Sequence, residues 1–403
     1  MTCEVAVMNK RGVALAADSA VTLGDGQKVY HTAEKLFQLS SSAPVGIMTY
    51  GAAEIMDVPW ETVIKLYAQK LGERRFDRLE QYAQDFLRFI EGAESLFSEA
   101  AQRQSFRQLV GSYWNDRYLV PLKKRLEAGD KSTRKRAHEI LTELIGRDHE
   151  AEWKNSAPLE EMGDGYGDRV VNEYGPVLDE LEGEMFGAFK PSREIREGLR
   201  ATARYMYALD GFNADASSGV VIAGIGETEA FPVVMCYQVG TVAAGRLRFT
   251  RFDESRVGHE TDGVVIPLAQ RHVIDMFYGG ISPMLKEKLA DIVVSGVKGC
   301  LKKAGKGQAA ALSEKCRGKI LETLEREAQE HHTQPLTRAV AGLPRRELAG
   351  LAEALVSLTV FMARMSVDQK ETVGGPIDVA LISKGDGFVW IKRKDPVRDA
   401  LVL

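Results

Sequence analysis

The sequence predicts a layered α+β fold, with stacked antiparallel sheets covered by helices and a helical subdomain inserted between two halves of the core. Three observations carry this. Short apolar runs punctuated by turn residues open the chain, return after residue 217 and close it. Between them, from about Arg74 to Leu209, apolar residues recur at helical spacing in a charged background. The order is strands, helix, helical region, strands, helices, strands, so early and late strands must share a core if there is only one.

The elements follow in order. CEVAVM (3–8) reads as a strand, NKRG as a turn in which Gly12 is free to take positive φ, and VALAADSAV (13–21) as a strand buried on both faces. KLFQL (35–39) and APVGIMTY (43–50) form a second hairpin. GAAEIM then opens a helix that continues through WETVIKLYAQKLG, with Pro59 as a kink or restart because it has no N–H to donate. Phe86, Phe89, Ile90 and Phe97, then Phe106, Leu109, Tyr113 and Leu119, then Ile140, Leu141 and Leu144 mark the helical region. Strands resume at 217–226, 231–240 and 244–252, with VVIPLA (264–269) as a further one. Helices follow over 284–303, opened by Ser282–Pro283, over 313–332, and over 345–365, the last apolar enough for a core helix. PIDVALIS and GFVWIKRK, joined by KGDG, close the chain as a hairpin. The expected division is a first core half over 2–73, the insert over 74–209 and a second core half over 210–403.

Bulk properties narrow the function classes. The chain has 403 residues, 44% hydrophobic and 27% charged, as expected of a soluble globular protein. A net charge of -4 argues against a dedicated nucleic-acid binder, and the basic run 123–136 has acids interleaved, as on a solvated helix face. Cys3, Cys236, Cys300 and Cys316 form no C-x-x-C pair, and no histidines stand near them at zinc-ligand spacing. Neither a disulfide scaffold nor a zinc site is expected, and cytoplasmic residence fits. Glu4, Lys10 and Arg11 break up the amino terminus, so no signal peptide is expected. No run of eighteen apolar residues appears, so no membrane span is expected. AGKGQAAA (304–311) lacks the full phosphate-loop signature.

The chemical signal lies in the first fifty residues. Thr2 follows Met1, Asp18 lies sixteen residues on, and Lys35 seventeen beyond that. Removal of Met1 would make Thr2 a terminal nucleophile whose own α-amine, with an ordinary pKa near ~8, can accept the hydroxyl proton. A nearby lysine would depress the amine's pKa and stabilise developing negative charge, and an aspartate would fix that lysine. Gly51, at the strand end TYGAAE, can present its N–H to an oxyanion. The same residues also read plainly as a turn cap (Asp18), a solvated lysine (Lys35) and a small second residue (Thr2).

The opening resembles the proteasome β-subunit and HslV-like family of the N-terminal nucleophile (Ntn) hydrolase superfamily. The resemblance rests on Thr2-CEVAV, the Gly12-Val13-Ala14 turn, LAADSAVTLG with Asp18, EKLFQL with Lys35 after a loop lengthened beyond Gly24, and Gly51 in TYGAAE. More loosely it extends to VVIAGIG (220–226) and GGPIDVALISKGDGFVWI. It implies a four-layer αββα sandwich and a threonine peptidase with Thr2, Asp18, Lys35 and Gly51 as catalytic residues. It implies no cofactor and no metal, a peptide or small-amide substrate, a possible homo-oligomer, and no membrane or nucleic-acid partner. An acylase acting on small amides and a non-catalytic scaffold are the alternatives. The family's supporting Ser and Asp–Ser pair have no aligned counterpart. Val373 stands before Gly374–Gly375 where a Ser would fall, which leaves Ser366, Asp368 or Thr372 as stand-ins, and Thr241 for the other Ser.

Overall fold

The structure, a computed structural model, describes residues 2–23, 28–128, 134–210, 217–300, 306–366 and 373–394. The first half carries strands β1 (Cys3–Asn9), β2 (Gly12–Ala17), β3 (Val21–Leu23), β4 (Lys28–Tyr30), β5 (Leu36–Gln38), β6 (Val45–Gly51), β7 (Glu54–Ile55) and β8 (Val58–Pro59), then helix α1 (Trp60–Leu71). Helices follow: α2 (Leu79–Glu91), α3 (Glu99–Trp114), α4 (Val120–Glu127), α5 (Arg134–Asp148), α6 (Tyr166–Glu173), α7 (Gly175–Phe186) and α8 (Arg193–Ala208). Strands β9 (Ser218–Gly224), β10 (Val233–Ala243), β11 (Arg246–Arg256) and β12 (Gly263–Ala269) come next. The chain continues with α9 (His272–Gly279), α10 (Pro283–Cys300), α11 (Lys306–Ala328), α12 (Gln334–Gly342), α13 (Arg345–Met365), β13 (Asp378–Ser383) and β14 (Gly387–Lys392).

The fold is mixed α+β, with two five-stranded antiparallel sheets. The first runs β12-β1-β2-β13-β14 and the second β11-β10-β9-β6-β5. Early and late strands therefore do pair: β2 lies between β1 and β13. Strand alternation explains how the sheets meet. Ala6, Met8, Val13 and Leu15 of the first sheet share one buried cluster with Met48, Val221, Ala223 and Val234 of the second. Val5, Val7, Ala14 and Ala16 point the other way and pack on α13 through Leu348, Ala352, Leu355 and Val356. The second sheet's other face, with Val45, Ile47, Val220 and Ile222, packs on Trp60, Ile64, Tyr82 and Phe86 of α1 and α2. Each fully buried large aliphatic or aromatic side chain stabilises by about 1.5–3 kcal/mol, so these three clusters hold the layers together.

The helices of 99–208 build a further cluster around Phe106, Trp114, Leu141, Tyr174, Leu199 and Tyr207, which touches the core at Ala243. Tyr166 ties it there by donating to Ala243 O at 3.0 Å.

Two of these expectations need correction. Residues 51–59 are not helical: β7 and β8 form a small hairpin, and α1 begins at Trp60. Met56 and Asp57 take φ of 52° and 63°, a turn that a helix cannot contain, and Pro59 fits just ahead of the first helical N–H. The strand read over 13–21 is broken at Asp18–Ala20, between β2 and β3. The helix read over 345–365 as a core helix is α13. By length and mean hydropathy (1.5) it is able to cross a membrane, the one such helix among the described residues. Its Leu348, Ala352, Val356 and Thr359 side are buried against the first sheet.

Candidate functional site

Asp18 sits where β2 ends, and its neighbours explain why. Its N–H donates to Cys3 O at 3.1 Å, and the Cys3 N–H donates back to Asp18 Oδ1 at 3.1 Å, so the side chain continues the β1–β2 ladder. Lys35 Nζ donates to the same Oδ1 at 2.6 Å. The Gly374 N–H donates to Oδ2 at 2.8 Å, and the Ala20 N–H at 3.4 Å. The Lys35 and Asp18 side chains are 6% and 0% exposed, so this ion pair lies out of water and depends on its extra donors. Lys35 is itself held by the second sheet, because its carbonyl accepts from the Thr49 N–H at 2.9 Å. The pair thus bridges the sheets.

A second buried pair backs the first. Lys394 Nζ lies 2.9 Å from Asp378 Oδ2 and donates to Ser19 Oγ at 2.8 Å, while Ser19 Oγ donates to Pro376 O at 2.6 Å. Asp18 and Ser19 are therefore clamped by residues from the far end of the chain. No local sequence signal marked Lys394 or Asp378, because the pairing depends on β13 docking beside β2.

Thr2 extends β1 by one residue: its carbonyl accepts from the Gln270 N–H at 3.0 Å. It is 5% exposed, and its Oγ1 has no hydrogen-bond partner. Strand alternation puts Thr2 on the same face as Glu4, Ala6 and Met8, toward the second sheet. Glu4 is fully buried, and neither carboxyl oxygen has a hydrogen-bond partner. Burial pushes its pKa up to about 8, with Lys35 pulling it down and Asp18 pushing it up. The Thr2 hydroxyl lies near enough to favour the carboxylate slightly, without reaching hydrogen-bond geometry. Sequence reasoning used Glu4 only as a charge that breaks up the amino terminus.

Gly51 ends β6 with φ 85°, and a Cβ there would stand 2.8 Å from Ser217 O, so the position requires glycine. The segment after it is held firmly. Ser218 Oγ accepts from Trp60 Nε1 at 2.7 Å and donates to Ala52 O at 3.0 Å. A cavity of about 640 Å³ opens at Ala52, walled on the core side by Glu54, Met56, Asp57 and Thr241 and on the helical side by residues including Leu109, Tyr113, Asp116 and Trp153. Arg117 also lines it, paired with Asp148 at 3.2 Å and with Glu152. Thr2, Asp18 and Lys35 do not line this cavity. The structure thus joins Asp18 to Lys35, sets Thr2 beside Glu4, and puts Gly51 next to a residue of the cavity wall.

No protein-family model matches the chain, and no curated protein matches it. Among solved structures, the chain is similar to Anbu. For the Gly-1 mutant of Anbu from Hyphomicrobium sp. strain MC1, identity is 11% and the TM-score 0.29, over 100% of this chain and 91% of that one. For Anbu from Yersinia bercovieri, described as an ancestral beta-subunit, the values are 10% and 0.28, over 99% and 94%. For the helical assembly of the Anbu complex from Pseudomonas aeruginosa they are 10% and 0.29, over 100% and 90%. At such values no residue of this chain takes a role from those proteins.

Of the remaining sequence candidates, Met1, Gly24, Asp368 and Thr372 lie outside the described residues. Ser366 follows α13, Val373 is buried, and Thr241 lines the cavity. Cys3, Cys236 and Cys316 are free thiols, and burial pushes the first two up to about 12. Among the described residues no group of three or more His, Cys, Asp or Glu is placed to hold a metal ion.

Proposed function

We propose that the chain is an amide-bond hydrolase of the N-terminal nucleophile type, with Thr2 as nucleophile, exposed by removal of Met1. The observation that supports this best is the buried Asp18–Lys35 pair, which is fixed to the backbone of Cys3, the residue after Thr2. A charge pair out of water is costly to keep, and here it sets an ammonium near the strand end that carries the hydroxyl. In this reading Thr2 Oγ attacks the carbonyl carbon of a peptide or small amide. The freed α-amine takes the proton, Lys35 stabilises negative charge, and the Gly51 N–H serves the oxyanion. Water then hydrolyses the Thr2 ester. The layered packing is read as an αββα sandwich, with 74–209 as an inserted subdomain between core halves 2–73 and 210–403.

A second reading, a non-catalytic scaffold, has its own support: Thr2 Oγ1 is buried, and the described cavity is walled by other residues. Met284 and Ile292 on α10, and Phe361 and Met365 on α13, are exposed apolar side chains that self-association would cover under either reading. Intact-mass measurement after treatment with a peptide epoxyketone separates the two. Loss of Met1 together with an adduct mapped to Thr2 supports the hydrolase. A retained Met1 with no adduct supports the scaffold.

A further inference from the structure

Glu4 stands out among the described residues. It is a carboxyl with no solvent exposure and no hydrogen bond to either oxygen, on a strand whose other side chains, Asn9 apart, are apolar. A buried carboxyl left without partners is costly, and an alanine or valine would pack the position. Two residues away on the same strand face is the Thr2 hydroxyl, also buried and also without a partner. These orphans lie beside one another at the point where the Asp18–Lys35 pair bridges the two sheets.

We propose that Glu4 is a general base for Thr2, activating the hydroxyl from within strand β1 independently of a free α-amine. The inference rests on the reading of Thr2 as nucleophile. The proton passes from Thr2 Oγ to a Glu4 carboxylate oxygen as the Oγ–carbon bond forms and the carbonyl electron pair moves onto oxygen. When the carbon–nitrogen bond breaks, the departing amine takes the proton from Glu4. Water then adds to the ester carbon, yields a proton to Glu4, and Thr2 Oγ recovers it as the ester bond breaks. Thr2 and Glu4 both end as they began.

The surroundings suit the task. Asp18, at the end of β2, and Lys35, ahead of β5, act on Glu4 with opposite sign. Tyr50, on β6, feels the Glu4 charge, and Arg271 and Asp253 act on Tyr50. On β12 the register neighbour is Leu268, which carries no charge. Burial pushes the Glu4 carboxyl up to about 8, near the strength at which a general base is most effective in neutral solution.

The test is the rate at which a β-lactone probe acylates Thr2, followed by intact mass and peptide mapping from pH 5 to 9. Four full-length proteins are compared: the wild type, and three chains with a short tag ahead of Met1, in which Thr2 has no free amine, carrying Glu4, Glu4→Gln or Glu4→Asp. The proposal expects the tagged Glu4 chain to be acylated with a rate that rises through pH about 8, and Glu4→Gln to be ~100-fold slower or more without that rise. Glu4→Asp should regain part of the rate with a shifted midpoint. Acylation of the tagged Glu4 chain with Glu4→Gln unchanged in rate and profile overturns the role of Glu4 alone. So does acylation of the trimmed wild type but not of the tagged Glu4 chain, which also serves if Glu4→Gln does not fold. No acylation of Thr2 in any protein overturns the nucleophile reading and this inference with it.

Discussion

The Gly374 N–H donates to Asp18 Oδ2 at 2.8 Å, although 356 positions of sequence separate the two residues. Together with the Cys3 N–H and Lys35 Nζ it makes Asp18 the best-satisfied carboxylate of the candidate site. Removing Lys35 would leave that carboxylate buried with only backbone donors. Lys35→Met should cost about 3 kcal/mol, the lower end of the range for a broken buried pair, because those donors remain. Adding Asp18→Asn should recover part of the loss. Urea denaturation of the single and double variants checks both, and equal stability of wild type and Lys35→Met would contradict the buried pairing.

Glu4 makes stability depend on pH in a definite direction. Its folded pKa of about 8 lies above its ordinary value of 4.5, so the folded chain holds a proton that the unfolded chain has released. The resulting stabilisation is complete below about 4.5 and is lost as pH rises through about 8, with a slope of at most about 1.4 kcal/mol per pH unit. Denaturation midpoints should therefore fall across that window in the wild type, and the Glu4 contribution should vanish in Glu4→Gln. A wild-type trend matching that of Glu4→Gln would show that Glu4 titrates normally.

Gly51→Ala should destabilise by about 1–3 kcal/mol. The substitution forces an L-residue into φ 85° and brings its Cβ against Ser217 O. The strain falls on the segment that Ser218 and Trp60 hold, so the variant should also loosen the backbone after Gly51. Thermal melting gives the first effect, and protection of the 51–59 amides from hydrogen exchange gives the second.

The helical region has its own critical pair. Arg117 donates to both Asp148 oxygens, at 3.2 and 3.3 Å, and the Asp148 side chain is 1% exposed. Arg117→Ala should cost about 2 kcal/mol by leaving that carboxylate buried with only the long Tyr113 contact at 3.4 Å and the Arg147 pair at 3.7 Å. Trp153, packed at 5.9 Å from Tyr113 and 7% exposed, should then report loosening by a red-shifted emission.

Much of this architecture was legible in the amino-acid pattern, for reasons that individual residues make clear. Both hairpins read from glycine-bearing turns are present; in KGDG, Gly387 takes φ 72°, whereas Gly12 does not take the positive φ expected of it and is glycine because a Cβ would stand 2.6 Å from Ile382 O. Asp18 and Lys35 were legible as a pair because each lies at the end of a strand in adjoining layers. Residues 51–59 were not, because Ala52, Ala53 and Glu54 are good helix formers overruled by the fixed turn at Met56–Asp57. Glu4 escaped notice because β1 is buried on both faces, so alternation carries no sign of inside and outside. Gly374, Asp378 and Lys394 escaped because nothing local couples them to Ser19 and Asp18.

That coupling has a consequence for timing. Strand β13 closes the edge of β2, and it brings Gly374, Asp378 and Lys394 to the Asp18–Ser19 corner. During synthesis, β1 and β2 emerge early, but their clamps are made more than 350 residues later. Until then β2 is an open edge, exposed to wrong partners, and Asp18 lacks one of its donors. Whatever chemistry that corner supports is withheld from a half-made chain and switched on by its last hairpin.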